Sequence, residues 1–289
     1  MYLEPKPPTA AFAKRTHVFK TSDGAELVGD LYTPGRTKPF SVVLLCGATA
    51  IPQEFYTHFA QWLASERGLA CFTFDYRDIG RSKQGPLRAS KTTMADWGTK
   101  DIEAARRLVR CVLPGTPIWH IGHSLGGMTL PFQSNLTDVA RVTTVATGAV
   151  NTKDHPRQMF WKVALFWHVM GPALTAVFGY LPSWVFGLGE NLPRRAFWQW
   201  RRWCNAPEFY MPDAGREMPA FKTDHLTMPI RFIAFSDDPT CPPASAERLA
   251  DLYGTGQVEV IDPSPEGDAL GHMGIFSRKN QKYWERLIA

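Results

Sequence analysis

Short runs dominated by aliphatic, β-branched and aromatic residues recur along this chain, and segments of helical length separate them. The runs are Ser41 to Cys46 (SVVLLC), Leu69 to Phe74, Ile118 to Ile121, Val142 to Ala146 and Ile230 to Phe235. Continuous apolar runs of this length, without a polar alternation, are what strands covered on both faces look like. The intervening segments Glu54 to Arg67, Gly98 to Val112, Leu125 to Leu136 and Pro243 to Tyr253 are read as helices. Strand and helix in alternation predict right-handed crossovers, hence an α/β chain with a mostly parallel twisted sheet and helices on both of its faces. Residues 17 to 33 differ, alternating around Ser22-Asp23-Gly24, so an antiparallel hairpin is expected ahead of the parallel strands.

The alternation stops after Ala149 and resumes near Met228. Six of the ten tryptophans fall between Asn151 and Lys222: Trp161, Trp167, Trp184, Trp198, Trp200 and Trp203. A segment this long and this apolar is neither an ordinary loop nor disordered. The expected organisation is therefore a core of residues 1–150 and 223–289 with a helical, Trp-rich cap of residues 151–222 inserted over one edge of the sheet. Within the cap, 27 residues between Lys162 and Glu190 carry no formal charge, long enough to raise the question of a membrane span. Gly171-Pro172 and Leu181-Pro182 interrupt it, and the backbone groups such breaks release have no partners in lipid. Two short amphipathic or buried helices are expected instead, and membrane association is not.

Charge and cysteine usage narrow the classes further. Lys and Arg number 32 against 27 Asp and Glu, a net charge of +5 with no long basic tract, and Arg194, Arg195, Arg201 and Arg202 read as a solvated helix face, so no nucleic-acid partner is expected. The five cysteines, Cys46, Cys71, Cys111, Cys204 and Cys241, form no Cys-x-x-Cys pair and no zinc spacing, which indicates neither a disulfide framework nor a structural metal. No phosphate-binding or dinucleotide loop is present, so no cofactor is expected. Residues 1 to 15 lack the apolar run of a secretory signal, and the chain reads as cytoplasmic. Association into a homodimer is left open.

The chemistry is carried by Gly122-His123-Ser124-Leu125-Gly126-Gly127, a G-x-S-x-G string that directly follows the apolar run Ile118 to Ile121 and precedes a helical pattern. A serine on a sharp bend between strand and helix adopts a strained backbone, and a Cβ two residues before or after it would collide with the neighbouring chain. Glycine at both places lets the hydroxyl project. The helix expected after Ser124 would aim its positive end, and the Leu125 N–H, at a developing oxyanion.

This bend resembles that of α/β-hydrolases. Asp75-Tyr76-Arg77-Asp78-Ile79-Gly80-Arg81-Ser82 is similar to the D-x-R-G-x-G-x-S loop after an earlier strand in many of them. Asp78 stands where glycine is usual, and aspartate tolerates left-handed backbone, so the turn is expected to survive. The match covers nearly the whole chain outside the cap and looks closest to a bacterial branch with a core like serine aminopeptidases and monoglyceride lipases. The resemblance implies an α/β-hydrolase fold and the chain order serine, acid, histidine.

That order is available. Ser236-Asp237-Asp238-Pro239 follows the last apolar run, and Leu270-Gly271-His272-Met273-Gly274 lies further on. Asp238 with Pro242 matches the family's D-x-x-x-P and is favoured as the acid; Asp237 is the competing aspartate, read as a turn or cap side chain, and Asp154 an outside candidate. His272, flanked by glycines, is the expected base, whereas His123 and His120 read as structural. By the family alignment the second oxyanion donor is the Ala48 N–H in Cys46-Gly47-Ala48-Thr49, where Cys46 replaces the usual histidine and reads as a small buried residue. The expected activity is hydrolysis of a small to medium hydrophobic carboxylic ester through an acyl-enzyme on Ser124. Thioester, lactone or peptide hydrolysis by the same triad, and a catalytically silent homologue that holds a small hydrophobic ligand, remain as alternatives.

Overall fold

Phe12–Lys20 (β1) and Glu26–Pro34 (β2) pair antiparallel around the turn at Gly24, whose φ of 86° suits glycine, in a computed structural model that describes residues 12–289 other than 36, 156, 186 and 188. Most of the N-terminal stretch considered above, residues 1–11, lies outside the described residues. Val42–Cys46 (β3), Ala70–Phe74 (β4), Ile118–His123 (β5) and Val139–Val145 (β6) continue the sheet. Tyr180–Leu181 (β7) and Leu192–Pro193 (β8) form a separate small ladder, and Ile230–Phe235 (β9) and Gln257–Ile261 (β10) complete the main one. Its order is β1-β2-β4-β3-β5-β6-β9-β10, with β2 antiparallel to β4 and every pair from β4 onward parallel. The strand β10 was not anticipated; its partly exposed sequence QVEVI lacks the continuous apolar signature because it lies at the sheet edge.

Buried strands with period-two side chains explain the two cores. From β3, Val42, Leu44 and Cys46 face one side and Val43 and Leu45 the other. Ile102–Val112 (α2) and Pro243–Tyr253 (α6) cover the first side through Ala105, Val109, Leu249 and Tyr253. Thr57–Glu66 (α1) and the C-terminal Glu285–Ile288 (α7) cover the second, with Phe59, Trp62 and Trp284 in mutual ring contact.

Between β6 and β9 run Arg157–Leu165 (α3), a π turn Phe166–Met170, Gly171–Phe178 (α4) and Arg194–Asn205 (α5). The tryptophans here divide. Trp167 and Trp203 are buried, Trp200 is half-buried, and Trp161 and Trp184 are exposed. Among the described residues, no helix is long and apolar enough to cross a membrane.

The segment after Ser124 differs from expectation. Instead of a helix from Leu125 to Leu136 there are two short 3-10 turns, Ser124–Gly127 and Leu130–Phe132. Gly126-Gly127 carry low helix propensity and Pro131 has no N–H to donate. The side chains of Thr129 and Gln133 are drawn to the Gly98 carbonyl at 2.7 and 3.0 Å, so tertiary hydrogen bonds replace the helical ladder.

Candidate active site

Ser124 sits at the end of central strand β5 with φ of 52°, a left-handed conformation that costs a side-chain-bearing residue on the order of 1 kcal/mol or more. The neighbouring glycines are what make the bend fit. A Cβ on Gly122 would lie 2.4 Å from the Gly126 carbonyl oxygen, and one on Gly126 only 2.1 Å from that of Cys46. His120 braces the same bend, its Nε2 2.8 Å from the Gly126 oxygen, which makes Nε2 the protonated nitrogen. Asp78 likewise holds the left-handed turn expected of it, with φ of 65°.

The structure brings Ser124, His272 and Asp238 into one hydrogen-bonded line. Asp238 Oδ2 lies 2.8 Å from His272 Nδ1, and His272 Nε2 lies 3.1 Å from Ser124 Oγ. The carboxylate can only accept, so Nδ1 carries the proton and bare Nε2 accepts the serine hydroxyl. The other carboxylate oxygen accepts the N–H groups of Thr240 and Cys241 at 2.8 and 3.0 Å, fixing a side chain that is fully buried. Asp237 turns elsewhere. Its Oδ2 accepts the Leu270 and Gly271 N–H groups at 2.8 and 3.0 Å and so holds the loop that carries His272. Asp154 is not part of the line; it caps the turn after Asn151 and pairs with Arg248.

Two features of the oxyanion region depart from expectation. The segment beginning at Ser124 is a four-residue turn, not a helix, so the helix dipole expected there is replaced by the individual N–H groups of that turn, Leu125 among them. The Ala48 N–H is already committed: it donates to Tyr56 Oη at 2.8 Å. Tyr56 in turn lies 2.8 Å from His123 Nδ1, and His123 Nε2 lies 2.8 Å from the His272 carbonyl oxygen. Because that carbonyl only accepts, Nε2 donates, Nδ1 accepts from the tyrosine, and the tyrosine oxygen receives the Ala48 N–H. The chain of bonds ties the loop after β3 to the backbone of His272. His123, like His120, reads in the sequence as structural; Tyr56 carried no sequence signal, because its partners Ala48 and His123 lie in the loop after β3 and at the end of β5.

Cys46 is fully buried with its thiol 4.0 Å from His120 Nδ1. Burial pushes the thiol upward and holds His120 down at about 4, so the two do not form a thiolate and imidazolium. Burial also lowers His123 to about 3. Both rings stay neutral in the folded chain while the unfolded chain binds protons near 6.5, so stability falls as pH is lowered from about 6.5 towards 4, by ~1.4 kcal/mol per pH unit for each ring. Urea unfolding across that window should show the slope, and His123→Gln should make it shallower; a midpoint flat from neutral pH to about 4.5 contradicts the assignment.

Ser124 and His272 open on a cavity of about 170 Å³ lined chiefly by apolar side chains, among them Met128, Met159, Val163, Trp167, Trp200 and Phe209. A larger open cleft of about 1000 Å³, walled by Arg77, Lys100, Arg194, Arg195 and Arg202, contains neither residue, so the smaller one is the chemically relevant space. Arg202 there is paired with Asp213 and Glu217. Among the described residues, no three or more His, Cys, Asp or Glu side chains come together in a way that could hold a metal ion.

A family model described as the alpha/beta hydrolase family matches residues 42–279. A comparison with curated proteins finds no significant match. Among solved structures, the chain is similar to the Pyrococcus furiosus esterase Pf2001, with a TM-score of 0.59, 15% identity, 99% of this chain and 94% of that chain covered. It is similar to a hypothetical protein from Pseudomonas aeruginosa, with 0.60, 18%, 99% and 99%. A third is the esterase EaEST from Exiguobacterium antarcticum, with 0.57, 15%, 94% and 97%. At these identities the likeness concerns the fold, and the family model carries the assignment. The chain belongs to the α/β hydrolase family.

Proposed function

We propose that this protein is a serine hydrolase of small hydrophobic carboxylic esters, and the observation that carries the reading is the line Asp238–His272–Ser124 ending in a small apolar cavity. Ser124 Oγ attacks the acyl carbon as its proton passes to His272 Nε2, and the buried Asp238 carboxylate stabilises the resulting imidazolium. The Leu125 N–H faces the developing oxyanion. The Ala48 N–H joins it only when Tyr56 gives up the bond it holds in this structure. Collapse of the tetrahedral intermediate breaks the bond to the alkoxide, which leaves with the proton from Nε2. Water, deprotonated by the same nitrogen, then cleaves the acyl-enzyme and releases the acid.

Cavity size selects the acyl group. At ~30 Å³ per water-sized group, 170 Å³ accommodates about six heavy atoms. p-Nitrophenyl butyrate should therefore be turned over faster than the octanoate, and an organophosphonate should leave its adduct on Ser124, read by peptide mass. Octanoate as the best substrate would remove the size argument. Absence of both adduct and turnover points instead to a silent ligand-binding homologue.

A further inference from the structure

The helical stretch from Arg157 to Phe178, between β6 and β9, is only half packed. Its helix presents Met159, Val163, Phe166 and Trp167 to the cavity beside Ser124. Its opposite side carries Trp161 at 75% exposure, Leu165 at 49%, Val169 at 56% and Val177 at 74%. With exposed Ala173 these follow at four-residue steps from α3 through the π turn into α4. Four residues overshoot one α-helical turn, and the wider π turn takes back part of that drift, so the stripe stays close to one face. Trp184, at 72% exposure, extends the apolar surface beyond the helix. Large apolar side chains grouped in this way mark an interaction surface.

Charge identifies the occupant. From His155 to Gly189 there is no Asp or Glu, while Arg157 and Lys162 lie at the start of the stripe. A twofold contact with a second copy would set this surface against itself, offering no acidic partner for those cations. An anionic lipid surface offers phosphates to the cations and a headgroup boundary that suits exposed tryptophans. We propose that the outer face of α3 and α4, with Trp184, docks the protein on an anionic lipid bilayer, lying on the membrane and not crossing it. This is a different physical statement from the span considered in the sequence, which the proline breaks disfavour. The consequence for substrate rests on the function proposed above: the same helix that touches lipid walls the acyl cavity, so bilayer-partitioned esters with a short acyl arm are the class served.

The test is co-sedimentation of the full chain with vesicles of phosphatidylcholine alone and of phosphatidylcholine with phosphatidylglycerol. The wild type should pellet with the second, weakly with the first, and less as salt is raised. The triple variant Trp161→Ser, Val177→Ser, Trp184→Ser should lose about tenfold in vesicle affinity while keeping its melting temperature and its turnover of p-nitrophenyl butyrate in solution. Ser124→Ala should pellet as the wild type does, so that an inactive wild type which still docks counts against the hydrolase reading alone. The docking inference is overturned if the wild type stays in the supernatant with both vesicles, or if the triple variant binds equally well. It is also overturned if the wild type is a dimer that the triple variant dissolves without any pelleting, which assigns the face to a second copy.

Discussion

Exchanging Ser124 for alanine should lower kcat for p-nitrophenyl butyrate by about 10⁶, and Asp238→Asn by about 10⁴, both with the fold intact. The first loss is that of the proposed nucleophile; the second follows from hydrogen-bond bookkeeping in the structure. Asp238 Oδ1 accepts two backbone N–H groups, from Thr240 and Cys241. An asparagine there must place its oxygen at those donors, which leaves its NH₂ group facing His272 Nδ1. The imidazole must then accept at Nδ1 and carry its proton on Nε2, where it can no longer take a proton from Ser124. Asp237→Asn makes the contrast, because its amide oxygen can still accept from Leu270 and Gly271, and a loss of no more than about tenfold is expected. Steady-state kinetics on the purified variants, with melting temperatures to exclude unfolding, decide the matter. If Asp237→Asn is the more damaging of the two, the roles of the aspartates have been exchanged; if Ser124→Ala hydrolyses as fast as the wild type, some other group performs the reaction.

What the sequence made legible, and what it did not, follows the range of the interactions. The bend at Ser124 was readable because Gly122 and Gly126 are local necessities of a backbone that passes within touching distance of itself. Ser124, Asp238 and His272 were readable through the spacing and order of a family motif, and their side chains meet in the structure. The pattern after Ser124 predicts a helix, but the Gly98 carbonyl, from another segment, recruits Thr129 and Gln133 and a ladder gives way to two short turns. Ala48 shows the same limit. The family alignment offers its N–H as an oxyanion donor, but only the fold brings up the Tyr56 hydroxyl that occupies that N–H. Asp237 reads in the sequence as a turn or cap side chain, and its grip on the histidine loop, more than thirty residues away, leaves no local trace.

Gly126→Ala should be the most damaging glycine-to-alanine change among the described residues. The added carbon would sit 2.1 Å from the Cys46 oxygen and 2.6 Å from its carbonyl carbon. These are backbone atoms at the end of β3, which is bonded to β4 on one side and β5 on the other, so neither can withdraw without breaking a parallel ladder. Nor can the bend retreat, because the Gly126 carbonyl is held by His120 and a shift towards Gly122 meets a second close approach. Overpacking against backbone lies at the severe end of such substitutions, and a cost of ~4 kcal/mol corresponds to a melting temperature lower by roughly 10 °C for a chain of this size. Gly85→Ala is the matched control, since a Cβ there meets nothing within 4 Å and the residue has no left-handed φ. Thermal unfolding followed by circular dichroism separates the two variants: Gly85→Ala should melt with the wild type, and a Gly126→Ala protein that did the same would mean that the bend has slack, and with it that the position of the Ser124 hydroxyl is not set by the packing described here.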